Sequence, residues 1–135
     1  MDYSELAKKS LEARFLSYSP YSDFKVGAAL LTESGEIFLG ANVENAAYSP
    51  CICAERSAFI CALMKGHKNF KAIAVSSMVD DYTSPCGVCR QFMREFSADL
   101  PIILVKSSGT FIETSLEVLL PMSFGPDDLV KERNE

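Results

Sequence analysis

The chain has 135 residues, 48% of them hydrophobic and 23% charged, and a formal net charge of −5. That composition excludes a disordered chain and provides enough apolar residues for the core of one compact domain spanning residues 1–135. The acidic balance, with no cationic cluster beyond the doublet Lys8-Lys9, argues against a polymeric nucleic acid as partner.

Tyr3, Ala7, Leu11 and Phe15 recur every four residues and predict an amphipathic helix that stops before Pro20. From Phe24 the period changes: Phe24, Val26, Ala28 and Leu30 alternate as in a strand, and Glu33-Ser34-Gly35-Glu36 turns into Ile37-Phe38-Leu39 to make a hairpin. Cys53 to Lys65 reads as a helix closed by Gly66. Within it Ala58 to Met64 is apolar on every face, so this helix is expected to be buried all round, in the core or under a second copy of the chain. Ala72–Val75 predicts a buried strand, Cys86–Phe96 a helix, Ile102–Val105 another strand, and Phe111-Ile112 a possible fifth after the turn Ser107-Ser108-Gly109. The charged tail from Asp127 is expected to fray. Strand-helix-strand units of this kind imply an α/β sandwich with helices laid on a mostly parallel or mixed sheet.

The opening Met1-Asp2-Tyr3-Ser4-Glu5 is acidic and polar, unlike a signal peptide. The longest apolar run, Ala58–Met64, is far short of the ~20 residues that cross a bilayer. A cytoplasmic protein with no membrane partner is expected. In that compartment five cysteines read as metal-binding or catalytic before they read as disulfides.

Two segments carry chemistry, Cys53-Ala54-Glu55 and Pro85-Cys86-Gly87-Val88-Cys89. Cys86 and Cys89 lie three apart at a helix start, so both thiols share a face, and Cys53 opens a helix of its own. Exposed N–H groups and the positive end of the helix dipole favour thiolates there. Three sulfurs suit zinc and leave a fourth position for water, within reach of Glu55. The pattern matches the Cys-x-Glu and Pro-Cys-x-x-Cys arrangement of zinc nucleobase deaminases. Taken singly, Cys-x-x-Cys fits a redox dithiol equally well, and Cys51 would complete a closed four-cysteine structural site with Cys53, Cys86 and Cys89. Otherwise Cys51 and Cys61 read as small packing residues. The one histidine, His67, lies in the polar turn Gly66-His67-Lys68-Asn69 and reads as a surface residue, which leaves no Ser-His-Asp or Cys-His machinery. Three thiolates would outweigh the charge of zinc, and Arg56, next to Glu55, is the cation placed to offset them.

Four ordered motifs extend the pattern over nearly the whole chain. They are Tyr21-Ser22-Asp23-Phe24-Lys25-Val26-Gly27-Ala28-Ala29, Asn42-Val43-Glu44-Asn45-Ala46-Ala47-Tyr48, Cys53-Ala54-Glu55-Arg56 and Pro85-Cys86-Gly87-Val88-Cys89-Arg90-Gln91. With them the chain resembles the small cytidine deaminases that act on free nucleosides. The resemblance implies a three-layer α/β/α sandwich with a mixed five-stranded sheet. It implies one zinc ion per subunit on Cys53, Cys86 and Cys89, with Glu55 as proton shuttle. It further implies that Asn42 and Glu44 hold the ribose hydroxyls, that Phe24 stacks on the pyrimidine and that Ala54 contacts substrate. Ala46, Tyr48 and Phe124 match positions at pockets shared between subunits of a homotetramer. The implied reaction is hydrolytic deamination of cytidine and deoxycytidine in pyrimidine salvage. A deaminase of another small aminopyrimidine nucleoside, or a non-catalytic four-cysteine zinc module, is the alternative.

Overall fold

The computed structural model describes the backbone of residues 2–133 and the side chains of residues 2–129. Five strands, β1 (Gly27–Thr32), β2 (Ile37–Ala41), β3 (Phe70–Ser76), β4 (Pro101–Val105) and β5 (Phe111–Ser115), form one sheet in the order β2-β1-β3-β4-β5. Only β3 and β4 are parallel; the other neighbours run antiparallel. The helices are α1 (Ser4–Ala13), α2 (Ala54–Met64), α3 (Gly87–Arg94), α4 (Leu116–Leu119) and α5 (Pro126–Arg133).

Strand alternation divides the interior into two layers. Ala28, Leu30, Ile73, Val75, Ile102 and Leu104 face α2 and α3, where Ala58, Phe59, Cys89 and Met93 meet them. Ala29, Ala72, Ala74, Ile103 and Val105 face the opposite way, against Leu6 and Ala7 of α1 and Tyr3, which precedes it. The central strands are therefore covered on both sides, which is why β3 and β4 read as continuous apolar runs. The result is the expected α/β/α sandwich around a mixed sheet.

Two features bring α2 and α3 into register. Phe59 of α2 packs edge-on to Phe70 with ring centroids 4.9 Å apart and stacks on Phe96 at 5.5 Å, while Phe92 of α3 lies 6.0 Å away. This aromatic block ties both helices to β3. At the other contact, Gly40 of β2 lets the backbone of α2 lie directly on the sheet, since a Cβ there would overlap the Ala54 carbonyl oxygen and the Ala58 amide nitrogen. The helix ends where expected: Gly66 takes φ +89°, and the His67 N–H donates back to the Ala62 carbonyl at 3.1 Å.

Several sequence expectations are corrected. Phe15 is not part of the buried stripe of the first helix, because the chain tightens into a 3-10 turn over Arg14–Leu16 and turns Phe15 outward. Phe24 and Val26 are not in the strand. The Asn42 side chain accepts the Val26 N–H and donates to the Phe24 carbonyl, so these backbone groups leave the ladder. Helix α2 is not buried all round within the chain: Ala58, Phe59 and Ala62 are buried, whereas Ile60, Cys61 and Met64 are exposed. His67 is half-buried, its ring 5.2 Å from Phe38 and its Nε2 3.4 Å from a Glu36 carboxylate oxygen.

The tail is helical through Arg133 rather than frayed from Asp127, and its last two residues lie outside the described ones. Pro126 opens this helix, Asp127 and Asp128 occupy its first turn, and the Gly125 N–H donates to Asp128 Oδ2 at 2.9 Å. The short helix α4, absent from the sequence reading, is capped by Ser115, whose Oγ accepts the Val118 N–H at 3.3 Å.

Gly40→Ala is expected to destabilise the protein by about 2 kcal/mol or more through overpacking, because both obstructing atoms are backbone. The same change pushes away the first turn of α2, so zinc affinity should fall together with the urea midpoint. Urea unfolding and zinc titration of the variant check both effects.

Candidate active site

The site forms where the starts of α2 and α3 meet. Cys53 is the N-cap of α2 and Cys86 the N-cap of α3, both with extended backbone, and Cys89 lies in the first turn of α3. The Sγ atoms of Cys53, Cys86 and Cys89 all lie within 4.8 Å of one another, and Cys53 and Cys86 are 3.8 Å apart. Two sulfurs bound about 2.3 Å from one tetrahedral centre would sit about 3.8 Å apart, so the donor set and its spacing fit zinc. Cys51 is not in the cluster. Its sulfur accepts the Asn45 N–H at 3.3 Å, and among the described residues the metal group has three cysteines, not four. The closed four-cysteine arrangement is therefore not what the chain builds. Cys61 is exposed on α2, away from the core position expected for it.

The thiols share their protons unequally. A hydrogen bond from Cys89, reinforced by the Arg56 guanidinium, pulls Cys53 down to about 5. The same bond and burial push Cys89 up. Loading a metal would expel the protons that the three thiols retain. Arg56 Nη2 donates to Cys53 Sγ at 3.5 Å, and its buried Nε has no partner among the described residues. The guanidinium thus lies against one sulfur of the cluster.

Glu55 follows in the first turn of α2 and is 4% exposed. Burial, and next to it the Cys53 thiolate, raise its carboxyl to about 7. Burying a carboxyl without a salt-bridge partner is costly, and such a group in a cleft marks a functional site.

These groups open into a cavity of about 270 Å³ lined by Cys53, Ala54, Glu55, Cys86, Asn42 and Glu44, together with Val26, Val43, Cys51, Ile52, Val75, Thr83 and Ser84. Its polar wall is held in place from behind. Asn42 Oδ1 accepts from Val26 N at 2.9 Å and Ser17 Oγ at 2.6 Å, while Nδ2 donates to the Phe24 carbonyl at 2.8 Å. Glu44 Oε1 accepts from the N–H groups of Tyr21 and Ser22, and Oε2 accepts from the Ser22 hydroxyl, which keeps its carboxyl below the usual carboxylate range. An amide offers two donors and a carboxylate about four acceptor sites, so each side chain keeps capacity for a ligand.

The other expected residues stand apart from this cavity. Phe24, 39% exposed, is not among its lining side chains, though its backbone joins the Asn42 wall. Ala46 and Tyr48 lie on an exposed loop, with Tyr48 72% exposed at φ +63°, and Phe124 is 56% exposed on the C-terminal segment. Thr83 and Ser84 line the cavity without having been singled out from sequence; their only signal is their place immediately before Pro85-Cys86.

A three-cysteine centre at two helix starts, sharing one cavity with a buried carboxyl and a polar wall, defines a zinc site arranged for hydrolytic chemistry on a small ligand. Comparison with known proteins agrees. The model of the cytidine and deoxycytidylate deaminase zinc-binding region matches residues 1–104. The chain is 46% identical over 130 residues to the cytidine deaminase of Sporosarcina psychrophila, covering 96% of each chain. It is 42% identical to that of Halalkalibacterium halodurans, covering 96% of this chain and 98% of the relative. The crystal structure of cytidine deaminase from Burkholderia pseudomallei superposes with a TM-score of 0.87 at 44% identity, over 92% of this chain and 100% of that one. The chain belongs to the cytidine and deoxycytidylate deaminase family.

The raised Glu55 carboxyl sets a pH dependence for the metal-free protein. Between its ordinary value of 4.5 and about 7, the folded chain keeps a proton that the unfolded chain has released. Stability from this group is therefore full below the lower value and is lost as pH rises through the upper one. Relative to wild type, metal-free Glu55→Gln should gain nothing at pH 4 and up to roughly 3 kcal/mol at pH 8. Urea unfolding of both proteins in chelator reads the difference, and a gap independent of pH would contradict it.

Proposed function

We propose that the protein is a zinc-dependent enzyme that hydrolyses the exocyclic amine of cytidine and deoxycytidine, giving uridine or deoxyuridine and ammonia. The observation that carries this reading is the placement of Glu55 at the three-sulfur cluster, across one cavity from Asn42 and Glu44.

Zinc held by Cys53, Cys86 and Cys89 would act as a Lewis acid that lowers the pKa of a water toward neutrality. Glu55, a buried carboxyl that can hold or release a proton, can take the proton of that water, return it to pyrimidine N3, and carry a second proton to the departing amine. One group serves as both base and acid because each transfer restores the form needed for the next. Arg56 offsets part of the thiolate charge, which would otherwise oppose ionisation of the water. Asn42 and Glu44, each with hydrogen-bonding capacity left over from its contacts within the chain, hold the ribose hydroxyls and favour substrates with an intact sugar. Ala54 presents its small side chain to the base, and Phe24 provides an aromatic face for stacking.

Ala46, Tyr48 and Phe124 act between subunits. Their exposure in one chain, with that of Ile60 and Met64 (77% exposed) on α2, supports a homotetramer whose pockets are shared. Residues 1–135 act as one domain. The five free cysteines fit a reducing cytoplasm, and the proposed reaction gives the protein a place in pyrimidine salvage. Among the described residues no helix is long and apolar enough to cross a membrane. The net charge of −5 disfavours a nucleic acid and leaves a free nucleoside as substrate.

Zinc-replete protein is expected to release ammonia from cytidine and deoxycytidine, and far more slowly from cytosine, which offers Asn42 and Glu44 nothing to hold. Glu55→Gln should keep its zinc and lose at least about a hundredfold in kcat. Absence of turnover of both nucleosides would overturn the reading. Sedimentation velocity should give four times the chain mass, and Ile60→Glu should lower it by placing a charge in the apolar contact.

A further inference from the structure

Arg90 has no part in the chemistry above and does not line the cavity, yet its guanidinium reaches in three directions at once. Nε donates to the Pro85 carbonyl at 2.7 Å, Nη2 to Ser84 Oγ at 3.0 Å and Nη1 to the Leu119 carbonyl at 2.8 Å. The first two acceptors belong to the arm that leads into α3. Ser84 and Cys86 of that arm line the cavity, and Cys86 is one of the cluster sulfurs. The third acceptor lies at the end of α4, where helix carbonyls have no partner within their own helix.

The arm has little packing of its own. Cys86, Gly87 and Val88 are all exposed, and the buried anchors on either side are Pro85 and Cys89. The Pro85 carbonyl lies outside the helical ladder, which begins with the Cys86 carbonyl accepting the Arg90 N–H at 3.0 Å. One residue therefore closes the first turn of α3 with its backbone and fastens the preceding arm with its side chain. The guanidinium spreads its donors over three nitrogens in one rigid plane and so reaches three separated acceptors, whereas the three donors of a lysine share a single nitrogen.

We propose that Arg90 is a positioning residue of the metal centre: by clamping Ser84 and Pro85 to the end of α4, it holds the Cys86 sulfur at the cluster and Ser84 at the cavity wall. The inference rests on the reading of the cluster as a zinc site. Arg94, one turn further along α3, provides the control. Its Nε donates to Ser123 Oγ at 2.7 Å, so it ties the same helix to the C-terminal segment without touching the arm.

The test is the rate at which zinc passes from the loaded protein to an excess of chromogenic chelator, with folding checked by circular dichroism. Arg90→Ala should release zinc about tenfold faster or more, the scale of a lost charge-assisted hydrogen bond, with Arg90→Lys between it and wild type. Arg94→Ala should release at the wild-type rate. With zinc saturating, KM for cytidine should rise in the Arg90 variants by a larger factor than kcat falls, because Ser84 lines the cavity while Glu55 stands on α2. Wild-type release from the Arg90 variants, or equal acceleration in Arg94→Ala, would overturn the proposal and leave the zinc reading intact. If Arg90→Ala does not fold, Arg90→Lys against wild type decides by the same criterion. A wild-type protein that takes up no zinc overturns both readings together.

Discussion

The structure depends on bringing two helix starts close enough for their sulfurs to share one centre. Cys53 and Cys86 come within 3.8 Å although 33 residues separate them in the chain. Hydrogen bonds between sulfurs are weak and do not by themselves impose that approach. The approach is imposed by packing: the block of Phe59, Phe70, Phe92 and Phe96 clamps α2 and α3 to the sheet, and Gly40 allows α2 to lie against β2. Helix N–H groups and Arg56 then offset charge that the fold has already gathered.

The same logic holds on the opposite wall. Asn42 and Glu44 are fastened from behind by the segment from Ser17 to Val26, at the cost of the three residues Phe24, Lys25 and Val26 from the expected start of β1. The expected strand gives way because one amide satisfies the backbone of Phe24 and Val26 better placed for the cavity than for the ladder. A wall held in this way loses little conformational freedom when a ligand arrives, which is the physical benefit of preorganisation.

Most of the sheet was legible because its strands obey short-range rules: Ala72–Val75 and Ile102–Val105 are continuous apolar runs bounded by polar residues, and Glu33-Ser34-Gly35-Glu36 is a turn by composition. The errors fall where a partner distant in the chain decides the outcome. Phe24 and Val26 answer to Asn42. Phe15 leaves its stripe because the helix tightens at Arg14. The apolar run of α2 covers every face in sequence, yet the sheet can receive only one side of it, so Ile60 and Met64 remain outside. Helix α5 was hidden by its charge, although Pro126 followed by Asp127 and Asp128 is a helix-start signal in its own right.

The sequence by itself determined the residue types of the site and their order. Cysteines at helix starts and a glutamate two positions beyond the first form a local pattern that suits a metal, whereas the Asn-x-Glu pair after the hairpin takes its role only from the family resemblance. Only the tertiary structure decided which sulfurs meet, that Cys51 faces Asn45 instead of joining them, and that Glu55 is buried enough to hold its carboxyl near 7. It also decided that Phe24, Tyr48 and Phe124 stand outside the cavity of a single chain. The reason is physical: helical and strand periods are set by neighbours a few residues away. Sulfur–sulfur contact, desolvation and exposure are set by how separate elements pack, and that depends on the whole chain.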